Sequence, residues 1–217
     1  MQIKGFLLDI DGTLLDSEPI HLRAWRQTLA AHGIQRSDEQ IIHEFGHPTF
    51  EIARALVQSP NETWVRQIAR EKSQVYMDLI PTIPLFPKVQ MTLQKIKDLD
   101  GRICFVSSTT TPILNYYFQT FGWDRWSRGF VGVDHVVNPK PHPDMVLKAI
   151  EMLELRPNQC VMIGDSRYDL QAGRTAGTYT IGVCSGISNA SLLKEFGASL
   201  VLEQFGDLYE HLPLELD

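Results

Sequence analysis

Five short apolar runs constrain the fold of this chain more than any other feature. Each run has the length of one β-strand, and helical patterns separate the later runs. Alternation of strand and helix is typical of a mostly parallel sheet that is covered by helices on both faces. The sequence therefore predicts a doubly wound α/β core with strands at Ile3 to Leu8, Ile103 to Val106, Phe130 to Val133, Cys160 to Ile163 and Tyr179 to Val183.

The interval between the first two runs carries helix signals and nothing strand-like. Ser17 is in position to cap a helix that ends at Gly33, because serine is favoured at N-caps and glycine at helix ends. Ser59 and Glu62 fit a capping box, with Pro60 tolerated as the first helical residue. This segment is therefore predicted to be a small helical bundle.

The chain of 217 residues is long enough for one domain of ordinary size that carries an insertion. We expect an α/β catalytic core at residues 1–15 and 82–217 and a helical domain at residues 16–81.

Composition and charge restrict the partners of the chain. Hydrophobic residues make up 43% and charged residues 21%, which differs from the composition of disordered segments. The net charge is -6, and no cluster of lysine and arginine is long enough to follow a nucleic-acid backbone. No run approaches the ~20 apolar residues of a membrane helix, and the first eight residues are too short an apolar run for a signal peptide. We expect a cytoplasmic protein, monomer or homodimer, that binds neither nucleic acid nor membrane.

Three cysteines lie inside or beside the apolar runs and lack the paired spacing of zinc or disulfide frameworks. We expect all three to be buried and reduced: Cys104, Cys160 and Cys184.

Two carboxylates follow the first strand at its carboxyl end, where open α/β sheets bind ligands. Asp9 and Asp11 are two residues apart, and residues at that spacing in a strand point to the same side. Close carboxylates raise each other's pKa unless a cation lies nearby, and Mg²⁺ prefers such oxygen ligands together with substrate phosphates. Gly12 allows a sharp turn and keeps the backbone close to a bound molecule, and Thr13 completes the pattern.

Polar residues follow the later strands as well. Ser107 and Ser108 precede a predicted helix start, where a hydroxyl and unpaired N–H groups suit a phosphate. Lys140 stands between two prolines and can offset the negative charge of aspartates and phosphate. Asp165 follows the fourth strand and Asp169 lies one helical turn later, a spacing that suits a magnesium held by few carboxylates.

These four motifs, in this order, resemble those of the phosphatases in the haloacid dehalogenase-like superfamily. The resemblance covers essentially the whole chain and implies a Rossmann-like core. It implies that Asp9 is the nucleophile, that Asp11 is the acid and base, and that Ser107 binds phosphate. Lys140 would orient the nucleophile and the phosphoryl group, and Gly12, Thr13 and Ser108 would line the phosphate site.

The same resemblance implies a Mg²⁺ cofactor and a small phosphorylated metabolite as substrate. The ion would be held by Asp9, by the backbone carbonyl of Asp11 and by Asp165, with Asp169 beside them.

The helical insert falls where this superfamily places a cap domain, which would close over the site and select the substrate. The chain is most similar to the phosphoglycolate phosphatase and pyrophosphatase-like branch, and residues 17–25 also resemble the β-phosphoglucomutase branch. That branch has an arginine just after a glycine, whereas this chain has Thr49 after Gly46, which counts against mutase activity. His21, His47 and Thr49 are the candidates for selectivity contacts.

Three alternatives to a phosphatase remain at this point. A phosphosugar mutase is the second interpretation. A haloacid dehalogenase fits less well because that chemistry lacks the second aspartate, here Asp11, and a phosphate-sensing module would not need every catalytic position. The sequence leaves the substrate open among phosphoglycolate, pyrophosphate, a hexose phosphate and a nucleotide.

Overall fold

The structure is a computed structural model that describes residues 3–45, 47–186 and 188–214. Contacts divide the chain into two compact units. The α/β unit comprises Met1–Asp16 and Pro84–Asp217, and the helical unit comprises Ser17–Ile83. Each unit is described by itself below, and Gly46 lies outside the described residues.

The described residues form ten α-helices. Four lie in the helical unit and six in the α/β unit: α1 (Glu18–Ala31), α2 (Asp38–Ile42), α3 (Thr49–Val57), α4 (Glu62–Leu79), α5 (Val89–Asp98), α6 (Thr111–Phe121), α7 (Asp144–Leu153), α8 (Arg167–Ala176), α9 (Ala190–Glu195) and α10 (Leu208–His211). None of these helices is long and apolar enough to cross a membrane.

A six-stranded parallel sheet forms the centre of the α/β unit. Its strands are β1 (Gly5–Leu8), β2 (Arg102–Val106), β3 (Phe130–Val131), β4 (Cys160–Gly164), β5 (Tyr179–Val183) and β6 (Leu200–Leu202). The spatial order is β3-β2-β1-β4-β5-β6, and every neighbouring pair is parallel. This confirms the predicted doubly wound α/β fold. The order reverses between β1 and β4, which is the point where such sheets bind ligands.

Two details of the sheet differ from the prediction. The sixth strand, β6, was not predicted, because it has only three residues at the sheet edge and two of them are half-buried. The third strand is shorter than predicted, since Val133 begins a 3₁₀ turn instead of extending β3.

The core of the α/β unit lies between the sheet and helices α7 and α8. Leu7, Val106 and Met162 of the central strands pack with Met145 and Ala172 of these helices, and all five are fully buried. Burying a large apolar side chain stabilises a fold by ~1.5–3 kcal/mol. The central strands, whose ends carry the predicted site residues, are therefore packed firmly against α7 and α8.

The helical unit has its own core around the fully buried Trp25. The predicted cap of α1 is wrong: the Ser17 hydroxyl makes no cap hydrogen bond among the described residues, because the Ser17 backbone is helical instead of extended. The predicted capping box at Ser59 is also wrong. Helix α4 begins at Glu62, and the side chain of Asn61 accepts a hydrogen bond from the Trp64 N–H at 3.1 Å.

Candidate active site

The carboxyl ends of β1, β2 and β4 lie along one edge of the parallel sheet and carry the polar residues of the motifs. Asp9 follows β1, Ser107 follows β2 and Asp165 follows β4. The N–H of Asp9 donates to the carbonyl of Ile163 on β4 at 2.9 Å. Asp9 and Asp165 therefore lie just after two adjacent strands, at the point where the strand order reverses.

Lys140 joins three of these loops through one buried ammonium group. Its Nζ donates to Asp9 Oδ1 at 2.8 Å, to Asp169 Oδ1 at 2.6 Å and to the carbonyl of Val106 at 3.0 Å. The side chain is only 3% exposed, so all three N–H groups of the ammonium have partners away from bulk water.

The buried carboxylates and the ammonium of Lys140 shift one another's pKa. The pKa of Asp9 lies well above its usual value, because burial raises it most and the carboxylates of Asp169 and Asp165 add to the effect, while Lys140 opposes it. Burial alone would lower the pKa of Lys140, but Asp169 and Asp9 together raise it above the ordinary value. Two buried carboxylates, those of Asp9 and Asp169, therefore share one ammonium group, and the buried Asp165 lies beside them.

This acidic cluster fits a hard divalent cation. Asp9, Asp165 and Asp169 are buried, and each offers an oxygen within 4.8 Å of the others. Carboxylate oxygens are the ligands that Mg²⁺ prefers, and a cation would balance the excess negative charge. Asp169 is the most constrained, since one oxygen bonds to Lys140 and the other accepts the hydroxyl of Ser166.

Three glycines let backbone approach the acidic cluster. A Cβ on Gly12, which has φ +77°, would lie 2.8 Å from Asp165 Oδ2, and a Cβ on Gly164 would lie 2.4 Å from Asp169 Cγ. A Cβ on Gly186 would lie 1.9 Å from Asp165 Oδ2. The loop after β5 therefore also packs directly on the site.

The carboxylates of the two N-terminal aspartates have different hydrogen-bond partners. Asp9 faces Lys140, whereas the carboxylate of Asp11 accepts a hydrogen bond from the Tyr117 hydroxyl at 2.9 Å and lies 3.4 Å from the hydroxyl of Thr109. The alternation of side chains applies within a strand, and β1 ends at Leu8. The acidic cluster described above thus contains the side chain of Asp9 and not that of Asp11.

Thr13 and the serines after β2 occupy different surroundings. The fully buried Thr13 hydroxyl lies 3.3 Å from Asp9 Oδ2 and 3.4 Å from Asp165 Oδ1. Ser107 is buried, and its hydroxyl accepts the N–H of Thr109 at 3.1 Å. Ser108 is exposed.

The N-terminus of α6 lies just after Ser107, as predicted, but a carboxylate from another loop caps it. The N–H of Thr111 donates to Asp134 at 3.0 and 3.2 Å, and its hydroxyl donates to Asp134 at 2.9 Å. Burial raises the pKa of Asp134, but these hydrogen bonds outweigh it and the net shift is downward. The loop after β3 therefore fixes the segment that follows β2.

The remaining three candidates belong to the helical unit. His21 lies in α1, His47 is exposed and precedes α3, and Thr49 is the first residue of α3. The buried Lys72 donates to His21 Nδ1 at 2.7 Å, and the imidazole stacks on Tyr76 with ring centroids 3.9 Å apart. Because an ammonium group only donates, Nδ1 of His21 is the acceptor in this contact.

Sequence reasoning missed several residues that contact the site. Ser166 is one of them: it forms a capping box with the predicted residue Asp169, which the Ser-x-x-Asp spacing could have revealed. The other two are Ser185, whose hydroxyl donates to the carbonyl of Gly12 at 2.8 Å, and Tyr117. No sequence pattern around either residue indicates its role. One cysteine prediction also needs correction, because Cys184 is only partly buried.

A doubly wound sheet whose strand ends combine buried carboxylates with one buried lysine is typical of an α/β enzyme with its active site at these ends. A family model described as haloacid dehalogenase-like hydrolase matches residues 6–183. The chain belongs to this family and is a hydrolase, which confirms the resemblance read from the motifs.

Known relatives share most of their length with this chain. Fructose-1-phosphate phosphatase YqaB of Escherichia coli is 30% identical over 82% of this chain and 95% of its own length. Pyrophosphatase PpaX of Bacillus pumilus is 28% identical over 95% of this chain and 94% of its own length. The crystal structure of CbbY from Rhodobacter sphaeroides in complex with phosphate is 25% identical, with a TM-score of 0.80 over 95% of this chain and 96% of that chain.

Proposed function

We propose that this hydrolase is a Mg²⁺-dependent phosphatase that removes phosphate from a small phosphorylated metabolite through an aspartyl-phosphate on Asp9. The observation that carries the proposal is the buried Asp9 carboxylate, held 2.8 Å from the Lys140 ammonium beside Asp165 and Asp169. The named activities of YqaB and PpaX, on fructose 1-phosphate and pyrophosphate, support a small phosphorylated substrate.

The surroundings of each carboxylate favour Asp9 as the nucleophile. Both oxygens of Asp169 accept short hydrogen bonds, from Lys140 and from Ser166. One oxygen of Asp9 is held by Lys140, while the other, among the residues that the structure describes, has only the long 3.3 Å contact with the Thr13 hydroxyl. That second oxygen is the one best suited to attack, because the first is fixed and orients the carboxylate.

The reaction then proceeds in two balanced steps. Asp9 attacks phosphorus, a new O–P bond forms and the bond to the leaving oxygen breaks, while Asp11 gives that oxygen a proton. Asp11, now a carboxylate, takes a proton from water, the water oxygen forms a bond to the phosphorus of the aspartyl-phosphate, and the bond between phosphorus and the Asp9 oxygen breaks. Inorganic phosphate leaves and Asp9 is regenerated. Lys140 holds Asp9 in position and offsets negative charge throughout.

Asp9, Asp165 and the backbone carbonyl of Asp11 would hold the Mg²⁺ ion, with Asp169 beside them, and the bound ion would neutralise charge on the transferred group. The buried hydroxyl of Ser107 and the backbone after β2 would bind phosphate oxygens.

A phosphate-release assay on a metabolite panel tests the proposal. The panel contains phosphoglycolate, pyrophosphate, fructose 1-phosphate, a hexose 6-phosphate, a nucleotide and p-nitrophenyl phosphate. We expect Mg²⁺-dependent release that EDTA abolishes and that Asp9→Asn lowers at least about 1,000-fold, because an amide cannot form the acyl phosphate. Asp124→Asn, at an exposed position, is the matched control. Wild-type turnover by Asp9→Asn would contradict the mechanism.

The helical unit is proposed to act as the cap that selects the substrate, through His21, His47 and Thr49. The paired replacement of His47 and Thr49 by alanine should change relative rates across the panel. Unchanged relative rates would remove these residues from the proposal. A β-phosphoglucomutase activity is tested with the same protein, by isomerisation of a hexose 1-phosphate in the presence of its bisphosphate, and we expect none because Thr49 stands where that branch has arginine.

A further inference from the structure

We propose that Tyr117 is a positioning residue for Asp11, which fixes the carboxylate that transfers the proton to the leaving group. The inference rests on the proposed function, since it deepens the role that the phosphatase mechanism gives to Asp11. Tyr117 lies on α6, 106 residues from Asp11 in sequence, so the contact exists only in the folded protein.

Two hydroxyl groups hold the two oxygens of this carboxylate. Tyr117 donates to Oδ1 of Asp11 at 2.9 Å, and the Thr109 hydroxyl lies 3.4 Å from Oδ2. Thr109 precedes α6 and Tyr117 lies in its second turn. Both contacts therefore come from the segment that follows β2, Thr109 from the loop before α6 and Tyr117 from the helix itself.

The phenol is itself fixed by its packing. Tyr117 is fully buried, and its ring lies with its centroid 6.2 Å from those of Phe121 and Trp123. A tyrosine packed on aromatic neighbours in this way has few accessible rotamers, because protein interiors are close-packed. A hydrogen bond to a charged acceptor is stronger than one to a neutral acceptor, and a buried hydroxyl needs a partner. The phenol hydroxyl is therefore a stable anchor for the carboxylate.

This anchor separates the tasks of the two N-terminal aspartates. Asp9 belongs to the acidic cluster with Asp165 and Asp169 and faces the ammonium of Lys140. Asp11 instead accepts hydrogen bonds from the neutral hydroxyl groups of Tyr117 and Thr109. A carboxylate drawn into the acidic cluster would serve as a metal ligand, whereas the hydrogen bond from Tyr117 fixes the orientation in which Asp11 would meet the leaving group and water.

The test is the dependence of the Tyr117→Phe variant on the leaving group. General acid catalysis contributes most where the leaving oxygen is a poor leaving group. We compare p-nitrophenyl phosphate, which has a good leaving group, with the alkyl phosphate that the enzyme hydrolyses fastest in the panel above. A misplacement of about 1 Å in a catalytic group can lower the reaction rate ~100-fold. Tyr117→Phe should therefore lower kcat for the alkyl phosphate about 10- to 100-fold, with KM changed less than about threefold. The loss for p-nitrophenyl phosphate should be at least about fivefold smaller.

Tyr116→Phe is the matched control, since Tyr116 is the preceding residue of α6 and only half-buried, and it should leave both rates unchanged. Thr109→Val should reproduce the leaving-group dependence with a smaller loss, because its contact is longer. Thermal unfolding of each variant shows whether it is folded at the assay temperature, and Thr109→Val decides the question if Tyr117→Phe is not folded.

The outcomes separate this inference from the proposed function. Equal losses for both substrates in folded Tyr117→Phe, or no loss for either, would overturn the positioning role. If Asp11→Asn loses turnover while Tyr117→Phe does not, the inference fails alone and the mechanism stands. If Asp11→Asn turns over like the wild type, the proposed function fails and the inference fails with it.

Discussion

Replacement of Lys140 by methionine tests how strongly one buried ammonium group stabilises the α/β unit. The ammonium has three hydrogen-bond partners and its side chain is 3% exposed. Methionine keeps most of the apolar stem and removes the charge, so Asp9 and Asp169 lose their common partner. Breaking a buried ion pair by removing one member costs about 3–5 kcal/mol, which is a large part of the ~5–15 kcal/mol that separates folded from unfolded proteins.

Urea unfolding in EDTA, followed by circular dichroism, measures this loss. With a slope of about 2–3 kcal/mol/M, a loss of this size lowers the midpoint by about 1–2 M. Lys148→Met is the matched control, because Lys148 is an exposed lysine of α7 that donates to the carbonyl of His135 and not to a carboxylate in the described part of the chain. A surface substitution of this kind should stay within about 0.5 kcal/mol of the wild type.

The pH dependence of the difference gives an independent check. Without Lys140, nothing at that position opposes the effect of burial on Asp9, and its folded-state pKa, already raised, rises further. A carboxyl whose pKa is higher in the folded state than in the unfolded state binds its proton more tightly when folded, so the fold gains stability as the pH falls through that pKa. The deficit of Lys140→Met should therefore narrow from pH 8 to pH 5, and Mg²⁺ should narrow it at constant pH.

A deficit below about 1 kcal/mol, which is the range of exposed ion pairs, would refute this account of the site. The loss of unfolding free energy in Lys140→Met could also grow as the pH falls. That result would refute the account as well, because it would mean that Lys140 does not stabilise the fold by offsetting the charge of the carboxylates.

Three further predictions concern single positions. Asp134→Ala removes the cap of α6 and should lower the free energy of unfolding by about 1 kcal/mol at pH 7. Because the pKa of Asp134 is lowered in the folded state, this difference should vanish as the pH falls from the ordinary pKa of ~3.9 through the folded pKa. A series of urea unfolding curves in which the difference persists at low pH would contradict the prediction. Gly186→Ala places a Cβ 1.9 Å from Asp165 Oδ2, so half-maximal phosphate release should need about 10-fold more Mg²⁺, and an unchanged requirement would exclude Asp165 as a ligand. Burial raises the pKa of both Cys104 and Cys160 to about 12, so iodoacetamide at pH 8 should label neither until urea unfolds the protein, as mass spectrometry of the peptides can establish.

The sheet and its strand-end residues could be predicted because both depend on local patterns. Runs such as Cys160 to Ile163 are apolar throughout and buried on both faces, which is typical of parallel strands. Parallel topology then aligns the carboxyl ends, so residues after β1, β2 and β4 meet whatever the details of the loops. Errors arose at short or marginal elements, as at β6 and at the cap of α4, where Asn61 competes with Ser59 as the N-cap.

The orientation of Asp11 shows where local reasoning ends. Strand β1 ends at Leu8 and Gly12 turns the chain with φ +77°, so the strand period of two does not by itself fix the direction of the Asp11 side chain. Beyond a strand, a side chain is directed by whatever tertiary neighbour can satisfy it, and for Asp11 that neighbour is Tyr117, 106 residues away. The sequence can therefore single out Asp11 by its spacing from Asp9, but it gives no reason to single out Tyr117, the helix residue that donates a hydrogen bond to it.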